Sequence, residues 1–224
     1  MDRLTLYIGN RSYSSWSLRP WMALKHAGLA FDDVVIPLDQ PDTRESILRH
    51  SPSGRVPALA HGALRLWDSL AICEYVNELA PAARLWPEDP ATRAVARAVS
   101  AEMHSGFAAM REKLPMNVRR APSKLALDAA TQADVFRVGA IFADCRERHA
   151  SSGPYLFGAF TIADAMFAPV VTRLHTYGVD AGASARAYVD TMLAHPALAE
   201  WIRLARDEPY TVEAYEKLVP RVVP

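Results

Sequence analysis

The chain has 224 residues, half of them hydrophobic and 22% charged, with 25 basic side chains against 25 acidic ones. Such a composition suits a globular protein of one large or two small domains with a substantial core. It offers no basic stripe for nucleic acid, no apolar run of membrane-spanning length and no signal-peptide pattern in its opening residues. Nucleic-acid and membrane partners are therefore not expected. Cys73 and Cys145 are far apart and form no C-x-x-C, which reads as a reduced, cytoplasmic protein.

Residues 4–8 alternate and predict a strand, ended by Gly9 and Asn10. Residues 17–27 place Leu18, Trp21, Met22 and Leu24 on one helical face, with Gly28 as the stop and Pro20 in the first turn. Residues 31–36 read as a second strand and 44–49 as a short helix. Residues 57–60 and 64–67 flank His61-Gly62-Ala63 as a hairpin. Residues 69–79 form a helix with Leu70, Cys73, Val76 and Asn77 along one side. The order is βαβ then αββα. Parallel strands need a crossover helix, so the first 80 residues predict a mixed sheet flanked by helices.

Residues 81–89 hold Pro81 and Pro87 around Leu85 and Trp86, a linker with an apolar plug. The remainder, 90–224, is helical in pattern. Val95, Val99, Met103, Phe107, Met110 and Leu114 recur at threes and fours along one long helix, and Val135, Val138, Phe142 and Cys145 along the next. Thr161 and Asp164 match a capping box, with Phe160 placed as a hydrophobic staple. Pro169 predicts a kink in the helix that follows. Short helices at 185–193 and 197–205 complete the bundle.

Ser53-Gly54-Arg55-Val56-Pro57-Ala58-Leu59, followed by Trp67-Asp68-Ser69, carries the most chemistry. Pro57 cannot donate to a sheet ladder, so it belongs at a strand start, and an X–Pro bond is where a cis peptide is cheap. The N–H and C=O of Val56 would then face outward and could pair with an extended peptide. Asp68 and Ser69 open a helix whose free N–H groups and dipole offer a seat for a carboxylate.

This combination resembles the glutathione transferase superfamily. The resemblance implies an α/β thioredoxin-like N-terminal domain with a mixed four-stranded sheet, followed by an all-α helical-bundle domain. It implies glutathione as co-substrate, a small hydrophobic electrophile and a homodimer. By the same resemblance, Val56, before the cis-proline Pro57, pairs with the cysteinyl part of glutathione, and Asp68 and Ser69 hold its γ-glutamyl end. Arg55, beside Val56, could meet a glutathione carboxylate or be a solvated turn charge.

Tyr13-Ser14-Ser15-Trp16-Ser17 leads into the first helix. Serines there have a plain role as helix caps. Beside the Val56 turn they acquire another, thiol activation. A free thiol has a pKa of about 8.5. Each unit of lowering needs about 1.4 kcal/mol of preference for the anion. A helix N-terminus supplies roughly 0.3–1 kcal/mol at exposed sites, and a hydroxyl donating to a charged group roughly 1.5–3 kcal/mol. A hydroxyl donor is therefore needed. Ser-Ser-x-Ser is similar to the zeta class, which includes maleylacetoacetate isomerases. Ser14 matches that class's catalytic serine and Ser15 its second serine. Trp16 stands where the class has a cysteine. Thr176 stands where the isomerases carry a substrate-binding arginine, with Arg173 nearly a turn earlier. Asp68 replaces the more usual Glu or Gln. Tyr13 and Tyr7 are competing hydroxyl donors.

The electrophile would lie between Trp16 on the Ser14 loop and the long helix bearing His104, Phe107 and Arg111. His104 also reads as a surface or core histidine. Cys145 and His149 are four apart, but look like a core cysteine followed by an exposed basic end. No metal site is expected, and no nucleotide-binding or serine-hydrolase motif occurs. The expected activity is glutathione conjugation or addition. The alternatives are a glutathione-dependent cis-trans isomerase and a non-catalytic glutathione-binding module.

Overall fold

In the computed structural model, which describes residues 3–217, strands β1 (Leu4–Ile8), β2 (Phe31–Val35), β3 (Ala58–His61) and β4 (Leu64–Trp67) form one sheet in the order β2-β1-β3-β4. β1 and β2 run parallel and are joined through helix α1 (Ser15–His26), while β3 pairs antiparallel with both β1 and β4. Leu4, Leu6 and Ile8 alternate inward along β1 and are buried. The β3–β4 hairpin turns at Gly62, whose φ of 56° is one a β-carbon would strain. α1 ends as its sequence predicts. Gly28 takes φ 68°, Leu29 N–H donates to Leu24 C=O at 3.2 Å, and Gly28 N–H donates to Lys25 C=O at 3.1 Å. That pair of bonds is a Schellman closure.

α2 (Thr43–Leu48) and α3 (Ser69–Leu79) complete the α/β part. Leu85 and Trp86 are buried, and Leu85 C=O accepts from Ile162 N–H at 2.8 Å, so the linker is tied to the core helix. The helical part comprises α4 (Pro90–Ser105), α5 (Ala108–Lys113), α6 (Ala129–His149), α7 (Ile162–Thr176), α8 (Ala183–Leu193), α9 (Pro196–Arg206) and α10 (Glu213–Glu216). Helix α7 is buried along nearly its whole length and forms the centre, against which α1 packs from the other side. This is the thioredoxin-like domain with an all-helical second domain that the sequence implied.

Two local expectations are corrected. α1 begins at Ser15, two residues early, so Pro20 lies inside the helix and not in its first turn. Pro20 therefore denies Trp16 C=O its helical donor. Second, residues 90–114 are not one helix. The chain breaks between α4 and α5 at Gly106 and at Phe107, whose φ is 62°. Glycine holds a helix poorly, and periodicity could not reveal the break because the Phe107 side chain stays buried while its backbone turns. Val95 is 44% exposed, and Ala96 takes the inward position. Pro169 lies inside α7, which runs from Ile162 to Thr176. Cys73 and Cys145 are buried free thiols, and burial pushes both upward, Cys145 to about 12. Neither is a nucleophile at neutral pH. Among the described residues no helix is long and apolar enough to cross a membrane.

Candidate functional site

A cleft of about 600 Å³ opens where the turn before β3, the start of α3, the first turn of α1 and the end of α4 converge. Its walls are Trp16, Ser53, Arg55, Val56, Pro57, Trp67, Asp68, Ser69 and His104. The turn is held from below: Ser51 and Ser53 hydroxyls lie 2.8 Å apart, and Arg55 N–H donates to Ser53 Oγ at 3.2 Å. The Val56–Pro57 bond is cis. β3 begins only at Ala58, and among the described residues Val56 N–H and C=O have no backbone partner. One strand-like peptide unit is thus left to face the cleft.

Asp68 caps α3 with φ 69°, and its Oδ1 accepts from Leu70 N–H at 2.8 Å and Ala71 N–H at 3.5 Å. Its other oxygen lies 3.2 Å from His104 Nε2, which links α3 to α4 across the cleft. Burial holds the His104 pKa below the usual imidazole value, with Asp68 pulling it up and Arg19 and Arg111 pushing it down. Ser69 is 1% exposed, and its Oγ is buried without a hydrogen-bond partner among the described residues. A buried hydroxyl left unpaired costs about 1–3 kcal/mol. Its place in the cleft wall makes a ligand the natural partner.

Trp16 forms the wall on the α1 side and is packed by cations. Arg19 stands 4.1 Å and Arg111 4.7 Å from the ring centre, and His104 meets it edge-on at 5.2 Å. Arg19 is 1% exposed, with Nε and Nη1 unpartnered. Burial, with Arg111 and Arg173 nearby, lowers it to about 9, still a cation at neutral pH. Cations held at this distance from an indole face fix its orientation.

Of the residues singled out from the sequence, Trp16, Arg55, Val56, Pro57, Asp68, Ser69 and His104 line the cleft. Phe107 and Arg111 do not: Phe107 is a buried residue at the helix break, and Arg111 supports Trp16 while donating to the carbonyls of Met103 and His104. Ser14 and Ser15 precede Trp16 and are buried, but neither belongs to the lining. Ser14 is the N-cap of α1 with no side-chain capping bond to a helix N–H among the described residues; its Oγ lies 2.7 Å from Ser17 Oγ, which accepts from Gly9 N–H at 3.1 Å. With Ser17 accepting from Gly9, its hydroxyl can donate to Ser14 Oγ and leave the Ser14 hydroxyl free to donate in turn, each link polarising the next. Ser17 was not singled out, nor were Ser53 and Trp67, although all three lie within the motifs read.

The competing tyrosines are engaged elsewhere. Tyr7 stacks on His50 at 3.9 Å. Tyr13 OH donates to Glu216, accepts from Arg119 at 2.8 Å, and is raised above the usual phenol value by burial and then by Glu216. These bonds belong to a strap, residues 207–217, laid across the loop before α1. Arg11 N–H and Nη1 donate to Glu208 at 2.8 and 2.7 Å, and Asn117 Nδ2 donates to Glu216 at 3.0 Å. Thr176 Oγ1 faces Asn117 C=O at 3.4 Å.

Two family models match the chain: the glutathione S-transferase N-terminal domain over residues 13–79 and the C-terminal domain over residues 93–204. A maleylacetoacetate isomerase of Rattus norvegicus is 37% identical over 105 residues, 46% of this chain and 48% of that protein. The chain thus spans about half the length of the curated relatives it matches. Among solved structures, a glutathione transferase homolog from Burkholderia gl BGR1, with bound glutathione, matches at a TM-score of 0.70 and 27% identity, over 92% of this chain and 98% of that one. A tau class enzyme from mango, Mangifera indica, shares the fold at a TM-score of 0.68 and 20% identity, over 91% and 96%.

Proposed function

The chain belongs to the glutathione S-transferase family, and we propose that it binds glutathione in the cleft beside Val56 and directs the thiolate at a small hydrophobic electrophile. The observation that carries this reading is the unpaired, buried Ser69 hydroxyl beside a Val56 peptide unit that lacks backbone partners. A tripeptide supplies both missing partners at once, a backbone edge for Val56 and a carboxylate for Ser69. The Ser69 N–H, not taken by the Asp68 cap, and the dipole at the start of α3 favour that carboxylate. Asp68 takes the γ-glutamyl amine, and Arg55 on the exposed rim meets a second carboxylate.

Ser14 is the thiolate's donor in this reading, with Ser15 in support. The Gly9–Ser17–Ser14 chain strengthens that donor. One charge-assisted bond of about 1.5–3 kcal/mol corresponds to one or two pKa units. The electrophile packs on Trp16 and His104, with Phe107 and Arg111 behind them. We place the thioredoxin-like domain at 1–80, the linker at 81–89 and the helical domain at 90–224, and infer a cytoplasmic homodimer.

The likeness to maleylacetoacetate isomerases favours a second reading, in which the thiolate adds to a double bond, rotation follows and glutathione leaves. Trp16 and Thr176 are the departures that weigh against it. Ser14→Ala is expected to lower turnover of a chlorodinitrobenzene-type substrate at least tenfold with a smaller effect on glutathione affinity. Unchanged turnover would remove Ser14 from the chemistry. The same protein assayed with maleylacetone separates the two reactions. Absence of calorimetric heat with millimolar glutathione would overturn both.

A further inference from the structure

A second cavity, of about 480 Å³, lies among the loop after α5, the end of α7 and the outer face of α9, and shares no lining residue with the cleft. Arg119, Arg120, Arg203, Arg206 and His175 all line it, and no aspartate or glutamate does. Like charges gathered around a cavity repel one another, and a bound anion relieves that cost. Arg119 is already committed: it donates to Glu208 C=O at 2.7 Å, Tyr210 C=O at 2.6 Å and Tyr13 OH at 2.8 Å. Three of its five N–H groups are held this way, so it contributes mainly charge.

The other three are differently placed. Arg120 Nε is buried without a partner, its guanidinium standing 5.9 Å from the Tyr177 ring. Arg203 and Arg206 are three residues apart in the last turn of α9, on one face. Neither has an ion-pair partner among the described residues. Of the strap's carboxylates, Glu208 is spent on Arg11, Glu216 on Tyr13 and Asn117, and Glu213 on Lys217, while Asp207 does not line the cavity. Guanidinium forks match the paired oxygens of phosphate and carboxylate groups, and the volume suits a small organic molecule, with Ile202 as part of an apolar wall.

We propose that this cavity binds a multiply charged oxyanion, a phosphate- or polycarboxylate-bearing small molecule, with Arg120, Arg203 and Arg206 as its donors. The site stands apart from glutathione binding and survives if that reading fails. Pyrophosphate and citrate are titrated by calorimetry, at constant ionic strength, into the unmodified protein, Arg120→Gln and the double variant Arg203→Gln/Arg206→Gln. Binding of at least one probe below millimolar Kd is expected, weakened tenfold or more in the double variant, with the glutathione titration unmoved. The probe that binds tells phosphate chemistry from carboxylate chemistry. Should Arg120→Gln misfold, the double variant, altered only at exposed positions, decides alone. No heat from either probe, or equal affinity in the double variant, overturns the proposal.

Discussion

At the start of α7, Asp164 is wholly enclosed and fully used: Oδ1 accepts from Leu156 N–H at 3.0 Å and Tyr188 OH at 2.9 Å, and Oδ2 from Thr161 N–H at 2.8 Å and Thr161 Oγ1 at 3.0 Å. At the start of α3, Asp68 spends one oxygen on the helix and turns the other toward His104 at the cleft, and the adjacent Ser69 hydroxyl is buried with no partner. Both helices are capped by oxygen acceptors, as helix starts commonly are. One start closes its hydrogen bonds within the protein, and the other leaves a donor over. The difference separates a carboxylate closed into the fold from one that borders an open cleft. Burial pushes the Asp164 pKa up while its donors pull it back, which is the balance of a structural group.

The largest effect expected from this contrast is on Asp164→Ala, which strands several buried donors. Each costs about 1–3 kcal/mol, and in a chain this size 1 kcal/mol is about 2–4 °C of melting temperature. The thermal midpoint should fall by roughly ten degrees or more, or the protein should fail to accumulate in soluble form. A drop of under about 3 °C in calorimetry would erase the distinction. Ser69→Ala should do the reverse: glutathione Kd should rise about tenfold, with a midpoint unchanged or slightly higher because an unpaired hydroxyl is gone. A loss of stability without loss of affinity would make Ser69 a structural residue.

A third helix start sharpens the comparison. α9 is capped by an imidazole, His195 Nδ1 accepting from Ala197 N–H at 3.2 Å, with His195 Nε2 3.2 Å from His26 Nδ1. Burial, with His26 beside it, depresses His195 to about 4. The unfolded chain, with an imidazole near the ordinary value of about 6.5, takes up protons that the folded one refuses. Stability is therefore full above neutral, declines as pH falls through about 6.5, and levels off below about 4. His195→Asn keeps a capping acceptor and removes the titration. The wild-type midpoint should lose a few degrees more than the variant's between pH 7 and 5; parallel curves would assign the acid sensitivity elsewhere. Lys25, Glu200 and Tyr155, which line the same hollow, are common to both proteins.

What could be read in advance follows the range of the interactions. The mixed sheet, the Gly28 stop and the Thr161–Asp164 box rest on contacts within a few residues or on a crossover rule, and they were legible. So were the cis bond at Val56–Pro57 and the helix start at Asp68–Ser69, which are local features of the backbone. The break at Gly106 was not legible, because Phe107 fills its core position whichever way its backbone turns. Arg19 beneath Trp16 gave no signal, since its burial depends on helices far away in sequence that bring Arg111 and Arg173 alongside. The arginine-lined cavity escaped for the same reason, joining positions 119–120 to 203–206.

The strap has a consequence for how the molecule is made. Arg11 meets Glu208 across 197 positions, and Tyr13 meets Glu216 across 203. Such pairings come late, because the ends of a very long loop must be brought together before they are rewarded. On the ribosome the sheet and α1 emerge before the strap, yet the loop that leads into α1 waits for Glu208 and Glu216. The segment around Ser14 is thus translated long before the strap that locks it, so under the proposed reading the Val56 edge is in place well before the thiol's donor is.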